Sequence, residues 1–325
     1  MILAGDIGGT STRLALFERG GPARAPLREA RFGSREHASL EAIVRAFLDD
    51  GHERVTHAAF GIAGPVVGQR VEATNLPWTV AAEALRAPLG GAEVLLLNDL
   101  EANAWGLAEL GERDFAVLQA GERAEGNRAL IAAGTGLGEA ILLRDGHRWR
   151  PSPSEGGHTD FGPRDPFEDE LLLWLRARYG RVSYERILSG PGLADLYRFL
   201  SDTGRGAEPP DFAARFASAP DPAAAVTAAA LDGSCPRARL AVERFCAVYG
   251  AEAGNLALKA LAVGGVFVGG GIAPRILPFL REEGFVRAFR DKGRLAPLVA
   301  GIPVAVILDD HTALWGAAAV ALAMA

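Results

Sequence analysis

The sequence predicts an α/β fold in two domains, built on parallel strands with helices packed on both sides. Three observations predict it. The run Val94-Leu95-Leu96-Leu97 is apolar at every position, which suits a central parallel strand covered on both faces. A unit of strand, glycine turn and strand occurs twice, around Gly8-Gly9 and again around Gly134-Thr135-Gly136, which suggests a duplicated fold. With 325 residues, the chain is also longer than one compact core usually supports.

Composition narrows the function. Hydrophobic residues make up 49% and charged residues 23% of the chain, ordinary for a globular enzyme. A net charge of −6, with no run of Lys or Arg, disfavours nucleic acid as a partner. The positive charge is almost all arginine, with only Lys259 and Lys292 as lysines, which reflects genome composition rather than function. Cys235 and Cys246 are too few and too far apart for a zinc site or a disulfide framework, so a reducing cytoplasm fits. The first residues lack a basic stretch and are interrupted by Asp6, so no signal peptide is expected. Glycine or charge breaks every long apolar stretch, so no membrane helix is expected.

Taken in order, Ile2-Leu3-Ala4 and Arg13 to Phe17 read as strands around Gly5-Asp6-Ile7-Gly8-Gly9-Thr10. A glycine pair between Asp and Thr lets backbone N–H groups approach phosphate oxygens; an ordinary hairpin turn is the alternative. No Gly-Lys-Ser/Thr follows, and a strand rather than a helix comes next, so this is neither a Walker loop nor a dinucleotide fingerprint. Leu40, Ile43, Val44, Phe47 and Leu48 mark a helix from about Ser39 to Asp50. Ala58 to Ala63 is a strand entering a Gly64-Pro65 turn. Thr74-Asn75-Leu76-Pro77-Trp78 suits either the rim of a cleft or a surface loop with a packed tryptophan. The apolar strand then ends in Asn98-Asp99, before a helix from Leu100 to Leu110. In such sheets a carboxylate just past a strand's C-terminal end faces a ligand; the alternative is that Asn98 or Asp99 caps the helix.

The opening pattern returns with the strand Ala129 to Ala133, the turn Gly134-Thr135-Gly136-Leu137-Gly138 and the strand Glu139 to Leu143. In Glu155-Gly156-Gly157-His158 two glycines separate a carboxylate from an imidazole. A bent backbone there would let the pair grip adjacent hydroxyl groups. No third metal ligand stands at a recognisable spacing, and a solvated loop is the alternative. Asp165-Pro166-Phe167-Glu168 opens a helix that stops at Gly180. Ser183 to Gly192 reads as a short helix ending in a tight turn, with Glu185 an exposed helical glutamate unless function holds it. Asp202 to Pro236 reads as loops with short helices, and Arg237 to Leu261 as a long helix whose Gly250 and Gly254 permit close approach of another. Gly264 to Arg275 is a strand, a Gly269-Gly270-Gly271 turn and a helix start, suited to a purine or ribose against the backbone. Val304 to Leu308 is a strand, and His311 to Ala325 an apolar helix packed back on the first domain.

These motifs, in this order from end to end, resemble bacterial glucokinases of the hexokinase-like, actin-fold ATPase superfamily. The resemblance implies a two-domain actin-like ATPase (ribonuclease H-like) fold with a central cleft. The smaller domain would hold residues 1–109 plus about 300–325, and the larger residues 110–299. It implies ATP-dependent phosphorylation of D-glucose to D-glucose 6-phosphate, with Asp99 as the general base on the 6-hydroxyl. Asn75, Asn98, Asp99, Glu155, His158 and Glu185 would contact the sugar. The ATP phosphates would lie against Gly5-Asp6-Ile7-Gly8-Gly9-Thr10 and Gly134-Thr135-Gly136, with adenosine near Gly269, Gly270 and Gly271. Mg²⁺ would bridge the phosphates, held by Asp6 through water. Implied too are a cytoplasmic, glycolytic homodimer and no nucleic-acid or membrane partner.

The implied chemistry suits the residues. Phosphoryl transfer is mainly positioning and charge stabilisation with a carboxylate taking the hydroxyl proton, and a hexose asks for hydrogen bonds rather than charge pairing. Ser11 departs from the Asn of many relatives. The clustered cysteines of the zinc-containing repressor/kinase group are missing, and with the first strand read from residue 2 no DNA-binding extension is expected. Mannose or fructose as the substrate, ADP or polyphosphate as the donor, and a non-enzymatic sugar sensor stay open. A nicotinamide dehydrogenase is disfavoured, since no glycine run joins a strand to a helix with an acidic residue about 20 positions on.

Overall fold

In the computed structural model, which describes residues 1–49, 54–122 and 124–325, the chain forms two units. The first comprises Met1–Asp114, Arg150–Pro153 and Asp309–Ala325, the second Phe115–Trp149 and Ser154–Leu308. The strands in chain order begin with β1 (Ile2–Ile7), β2 (Ser11–Phe17), β3 (Arg28–Gly33) and β4 (His57–Ile62). Three short strands follow, β5 (Val66–Val67), β6 (Arg70–Glu72) and β7 (Thr79–Ala81), then β8 (Glu93–Asn98). The rest are β9 (Phe115–Gln119), β10 (Arg128–Ala133), β11 (Leu137–Asp145), β12 (Arg148–Ser154), β13 (Val266–Gly269) and β14 (Val304–Ile307).

The two large sheets share one plan. In the first, ordered β3-β2-β1-β4-β8, β1 pairs antiparallel with β2 and parallel with β4, which is parallel to β8. In the second, ordered β12-β11-β10-β13-β14-β9, β10 pairs antiparallel with β11 and parallel with β13, which is parallel to β14. The repeated glycine hairpin therefore marks a repeated sheet, to which β9 adds an antiparallel edge.

The expected central position of Val94–Leu97 is corrected: β8 is an edge strand. Its apolar run answers to its faces instead. Val94 and Leu96 pack in the core that holds Phe60 and Leu85, while Leu95 and Leu97 pack with Ala102 and Ala313 on the other face. The outer edge is met by the Gln69 amide, whose Oε1 accepts from Leu96 N at 2.7 Å and whose Nε2 donates to Leu96 O at 3.4 Å. A side chain thus supplies what a neighbouring strand would have supplied.

Helix starts follow capping chemistry. Ser39 caps Leu40–Leu48; the expected end at Asp50 lies outside the described residues. Asp165 Oδ1 caps Pro166–Tyr179 by accepting from Glu168 N at 2.8 Å, and the helix ends at Gly180 as the sequence predicts. The tight turn expected at Gly190-Pro191-Gly192 is instead the first turn of a helix, Gly190–Asp202. Ser189 caps it and proline sits in its first turn, the same start signal as at Asp165-Pro166. The short helix before it is one 3₁₀ turn, Tyr184–Arg186. The helix after β8 is Asp99–Gly106, continued by a 3₁₀ turn over Leu107–Glu109. The second glycine turn is shorter than expected, since β11 already begins at Leu137.

Close helix packing relies on glycine. In the long helix Pro236–Ala260, a Cβ on Gly250 would collide with the Phe285 carbonyl, and one on Gly254 would lie 2.5 Å from the Phe289 carbonyl. The C-terminal helix Thr312–Ala323 packs on Ile2, Ala4 and Ala59 of the first sheet. There Gly316 and Gly106 let it meet Asp99–Gly106 backbone to backbone. No helix among the described residues is long and apolar enough to cross a membrane.

Candidate active site

In the first unit, parallel β1, β4 and β8 bring three polar positions to their C-terminal ends. Asp6, half-buried near the end of β1, lies opposite Arg13 on β2 and Gly61 on β4. Asn98 closes β8 opposite Ile62, and Asp99 begins the next helix. Gly61 governs their approach: a Cβ there would lie 2.6 Å from Ala102 Cβ and 3.9 Å from Asp99 Cα. Burial, and after it the charge of Asp99, push the Asp6 carboxyl up to a pKa of about 6, while Arg13 and His311 pull the other way. A half-buried carboxylate pair of this kind is where proton or cation chemistry is usually found.

Asn98 is the helix cap. Its Oδ1 accepts from Leu100 N at 2.9 Å and Glu101 N at 3.3 Å, and its Nδ2 donates to Gly64 O at 3.0 Å. One amide hydrogen remains for a ligand. Asp99 accepts from Leu100 N at 2.9 Å through Oδ1, and Asn103 holds its carbonyl.

The Gly8-Gly9-Thr10 turn is tied from below by Ser34, which is fully buried. Ser34 Oγ donates to Gly8 O at 2.7 Å, and its N–H donates to Thr10 O at 3.1 Å. Gly8 N donates to Ser11 O at 3.0 Å, so residue 11 serves the turn through its backbone. A Cβ on Gly9 would lie 2.5 Å from Asn75 Cβ. Exposed Asn75 therefore sits directly on the glycine turn, while Trp78, three residues on, is buried. Gly5 and Ile7 are interior to β1: Gly5 lies under the Phe60 ring and Ile7 is in the core.

Asp309, Asp310 and His311, just after β14, are the only trio among the described residues with metal-binding proximity. Arg13 grips Asp310 at 2.5 Å, and Arg24 and Trp315 Nε1 grip Asp309 at 2.9 and 3.1 Å. Guanidinium and indole donors occupy these carboxylates, so the trio is an ion-paired clasp on β2 rather than a cation site.

In the second unit the turns after β10 and β13 are stitched together. The buried Tyr249 Oη receives the N–H of Ala133 at 3.1 Å and lies 3.2 and 3.3 Å from the carbonyls of Ile131 and Gly269. Gly270 has φ +80, and a Cβ there would collide with the Ala133 carbonyl. Gly134 and Gly271 have open space where a Cβ would stand, so their backbone faces are accessible. Thr135 is exposed.

Glu155, His158 and Glu185 come together in this unit. His158 Nε2 is 3.9 Å from Glu155 Oε2, and His158 Nδ1 is 3.7 Å from Glu185 Oε1. Their side chains are 61%, 56% and 29% exposed respectively, so they form a solvent-accessible cluster of polar groups. The intervening glycines permit it: a Cβ on Gly156 would strike Glu139 Oε2, and one on Gly157 the Leu137 carbonyl. Glu185 Oε2 accepts from Leu137 N at 3.0 Å. Glu185 is therefore half-buried and held in place rather than an exposed helical glutamate.

Sequence reasoning passed over Ser34, Gly61, Arg13 and Tyr249. Gly61 carried a signal, a glycine inside an apolar strand. A buried serine or tyrosine acting through its hydroxyl leaves none.

Solved structures share this architecture. A glucokinase from an Antarctic psychrotroph superposes with a TM-score of 0.82 at 31% identity, covering 98% of both chains. A ROK family glucokinase from Streptomyces griseus, solved with glucose and AMPPNP, matches with a TM-score of 0.65 at 23% identity, again over 98% of both. The fold is therefore that of the sugar kinases with actin-like, two-domain ATPase architecture. The Glucokinase family profile matches residues 3–324, and a glucokinase from Nostoc sp. is 40% identical over 98% of both chains. This chain belongs to the glucokinase family.

Proposed function

We propose that this chain transfers the γ-phosphoryl group of ATP to the 6-hydroxyl of D-glucose, with Asp99 taking the hydroxyl proton. The observation that carries the base assignment is the place of Asp99, at the C-terminal end of a parallel strand and within electrostatic reach of Asp6. There a carboxylate can accept a proton while charge moves onto the transferred group. Asn75, the remaining N–H of Asn98, Glu155, His158 and Glu185 supply the mixed donors and acceptors that an uncharged hexose requires. The backbones of Gly8-Gly9-Thr10 and Gly134-Thr135-Gly136 receive the phosphates in this reading, and Gly269-Gly270-Gly271 the adenosine.

The residues also fit Mg²⁺. The charge of Asp99 raises the cost of ionising Asp6, which favours a divalent cation nearby, and Mg²⁺ takes oxygen ligands while keeping several waters. Asp6 would hold it through water; when bound, the ion would offset charge on the phosphate oxygens. The two units serve as the smaller and larger domains in this reading. A cytoplasmic setting is supported by the free, buried thiols of Cys235 and Cys246, and a homodimer by the prevalence of twofold oligomers.

The test is phosphorylation of a panel of hexoses by the purified protein with ATP and Mg²⁺. Preference for glucose supports the reading. Activity confined to mannose or fructose replaces the substrate and keeps the mechanism. Sugar binding without turnover on any hexose overturns the kinase assignment in favour of a sensor.

A further inference from the structure

Beneath the Glu155–His158 turn lies a pair of buried carboxyl groups that the reaction above does not use. Glu139 on β11 and Glu252 in the helix Pro236–Ala260 are 1% and 0% exposed, and the charge of Glu252 acts directly on the Glu139 carboxyl. Two neighbouring carboxyl groups buried away from water cannot both ionise cheaply, which favours keeping one proton on the pair. The neighbouring donors decide where it resides. Glu252 Oε1 accepts from Lys259 Nζ at 3.1 Å and Oε2 from Asn255 Nδ2 at 2.8 Å, so both of its oxygens already have donors. Glu139 Oε1 has no donor among the described residues. Burial foremost, then the charge of Glu252, push the Glu139 pKa up to about 8, with Lys259 opposing.

The pair sits under the segments that carry the three proposed sugar ligands. Glu139 Oε2 fills the space beneath Gly156, and the carbonyl of Leu137, two residues earlier on the same strand, fills the space beneath Gly157. On the other side, Asn255 donates from the same amide to Glu252 and, at 3.1 Å, to Tyr184 Oη. Tyr184 begins the 3₁₀ turn that carries Glu185. Lys259 faces the pair directly, and Lys292 and Arg164 form the surrounding positive field through Glu252 and Tyr184. The hydroxyls of Tyr184 and Tyr249 are pushed up by burial and stay neutral.

We propose that Glu139 is a positioning residue, whose proton, shared with Glu252, holds the Glu155–His158 turn and the Tyr184–Arg186 turn in the arrangement that binds sugar. The proposal rests on the reading of Glu155, His158 and Glu185 as sugar ligands. Losing the proton puts a second negative charge beside Glu252 with no donor to Glu139 Oε1 among the described residues, directly beneath the turn at Gly156. The same proton shapes stability. Glu139 titrates at about 8 in the fold against an ordinary 4.5, so between those values the folded state holds a proton the unfolded chain has released. Stability therefore falls as pH rises through that window, and the loss is complete above about 8.

The test compares wild type with Glu139→Gln, which keeps the shape and one donor towards Glu252 but cannot titrate. Wild type should show a glucose KM that rises several-fold between pH 7 and 9, with kcat and the KM for ATP moving less. Glu139→Gln should flatten that rise, and without ligand its Tm should fall less steeply between pH 5 and 8. Glu139→Leu, which removes the donor, should have a raised glucose KM at every pH. If wild type phosphorylates glucose and Glu139→Gln reproduces both its KM profile and its Tm slope, the positioning role is overturned and the kinase reading stands. If wild type neither binds nor phosphorylates any hexose, the sugar reading falls and the role built on it falls too.

Discussion

Glu185 Oε2 accepts the backbone N–H of Leu137 at 3.0 Å, which ties a proposed sugar ligand to the glycine turn proposed for the phosphates. A Cβ on Gly136 would collide with that same oxygen, so the turn and the carboxylate are shaped to each other. Among the described residues the Glu155 side chain has no such tie and reaches only His158, at 3.9 Å. The two carboxylates therefore predict different losses.

Glu155→Gln should weaken glucose and leave ATP nearly unchanged. Glu185→Ala should weaken both, because it also leaves the half-buried Leu137 N–H without its acceptor, at a cost of about 1–3 kcal/mol. Calorimetric dissociation constants for glucose and for ATP, measured separately, distinguish the two. Equal effects of both variants on both ligands would remove the link between sugar and nucleotide that the hydrogen bond implies.

The carboxylate pair at the end of the first sheet predicts a pH effect. Asp6 titrates at about 6 in the fold against an ordinary 3.8. Its folded state holds the extra proton between those values, so its contribution to stability falls as pH rises through them. Below about pH 6 a neutral Asp6 is a poorer cation ligand, and affinity for Mg·ATP should decline. Asp99→Asn should lower kcat by roughly 10²–10⁴-fold, the range for loss of a general base, while keeping glucose binding. It also removes the charge that helps raise Asp6, so the acid limb of Mg·ATP binding should move to lower pH. Retained turnover would remove Asp99 as the base; an unmoved acid limb would remove Asp6 as the group that senses it.

Much of this was legible in the sequence because it rests on local chemistry. The glycine hairpins, the Asp165 cap, the Gly250 and Gly254 approach and the closeness of Glu155 to His158 each follow from a few adjacent residues. What was not legible depends on neighbours distant in the chain. Val94 to Leu97 announces two covered faces but not that Gln69 stands where the next strand would be. Glu185 looks like any helical glutamate until Leu137 is beside it. Glu139 reads as a polar residue in a strand, and only Glu252, more than a hundred positions away, makes it half of a proton-sharing pair. Ser189-Gly190-Pro191 was different: the cap and the proline were present, but the second glycine made them read as a turn.

The glycines of the two turns in the second unit separate structural need from ligand approach. Gly270 has φ +80 and faces the Ala133 carbonyl, so Gly270→Ala is strained twice, by its backbone conformation and by a collision with main chain that cannot yield. It should cost about 1–3 kcal/mol or more, read as a lowered Tm. Gly134 lies in open space with no left-handed φ, and none of the described residues meets a methyl group there. Gly134→Ala should keep the Tm within a degree or two, since removing backbone freedom from the unfolded chain even favours folding slightly. Yet if phosphate oxygens lie against this turn, that methyl occupies their space, and the KM for ATP should rise while the glucose dissociation constant holds. An unchanged KM for ATP in a well-folded Gly134→Ala protein would mean that this turn is open for some reason other than the nucleotide.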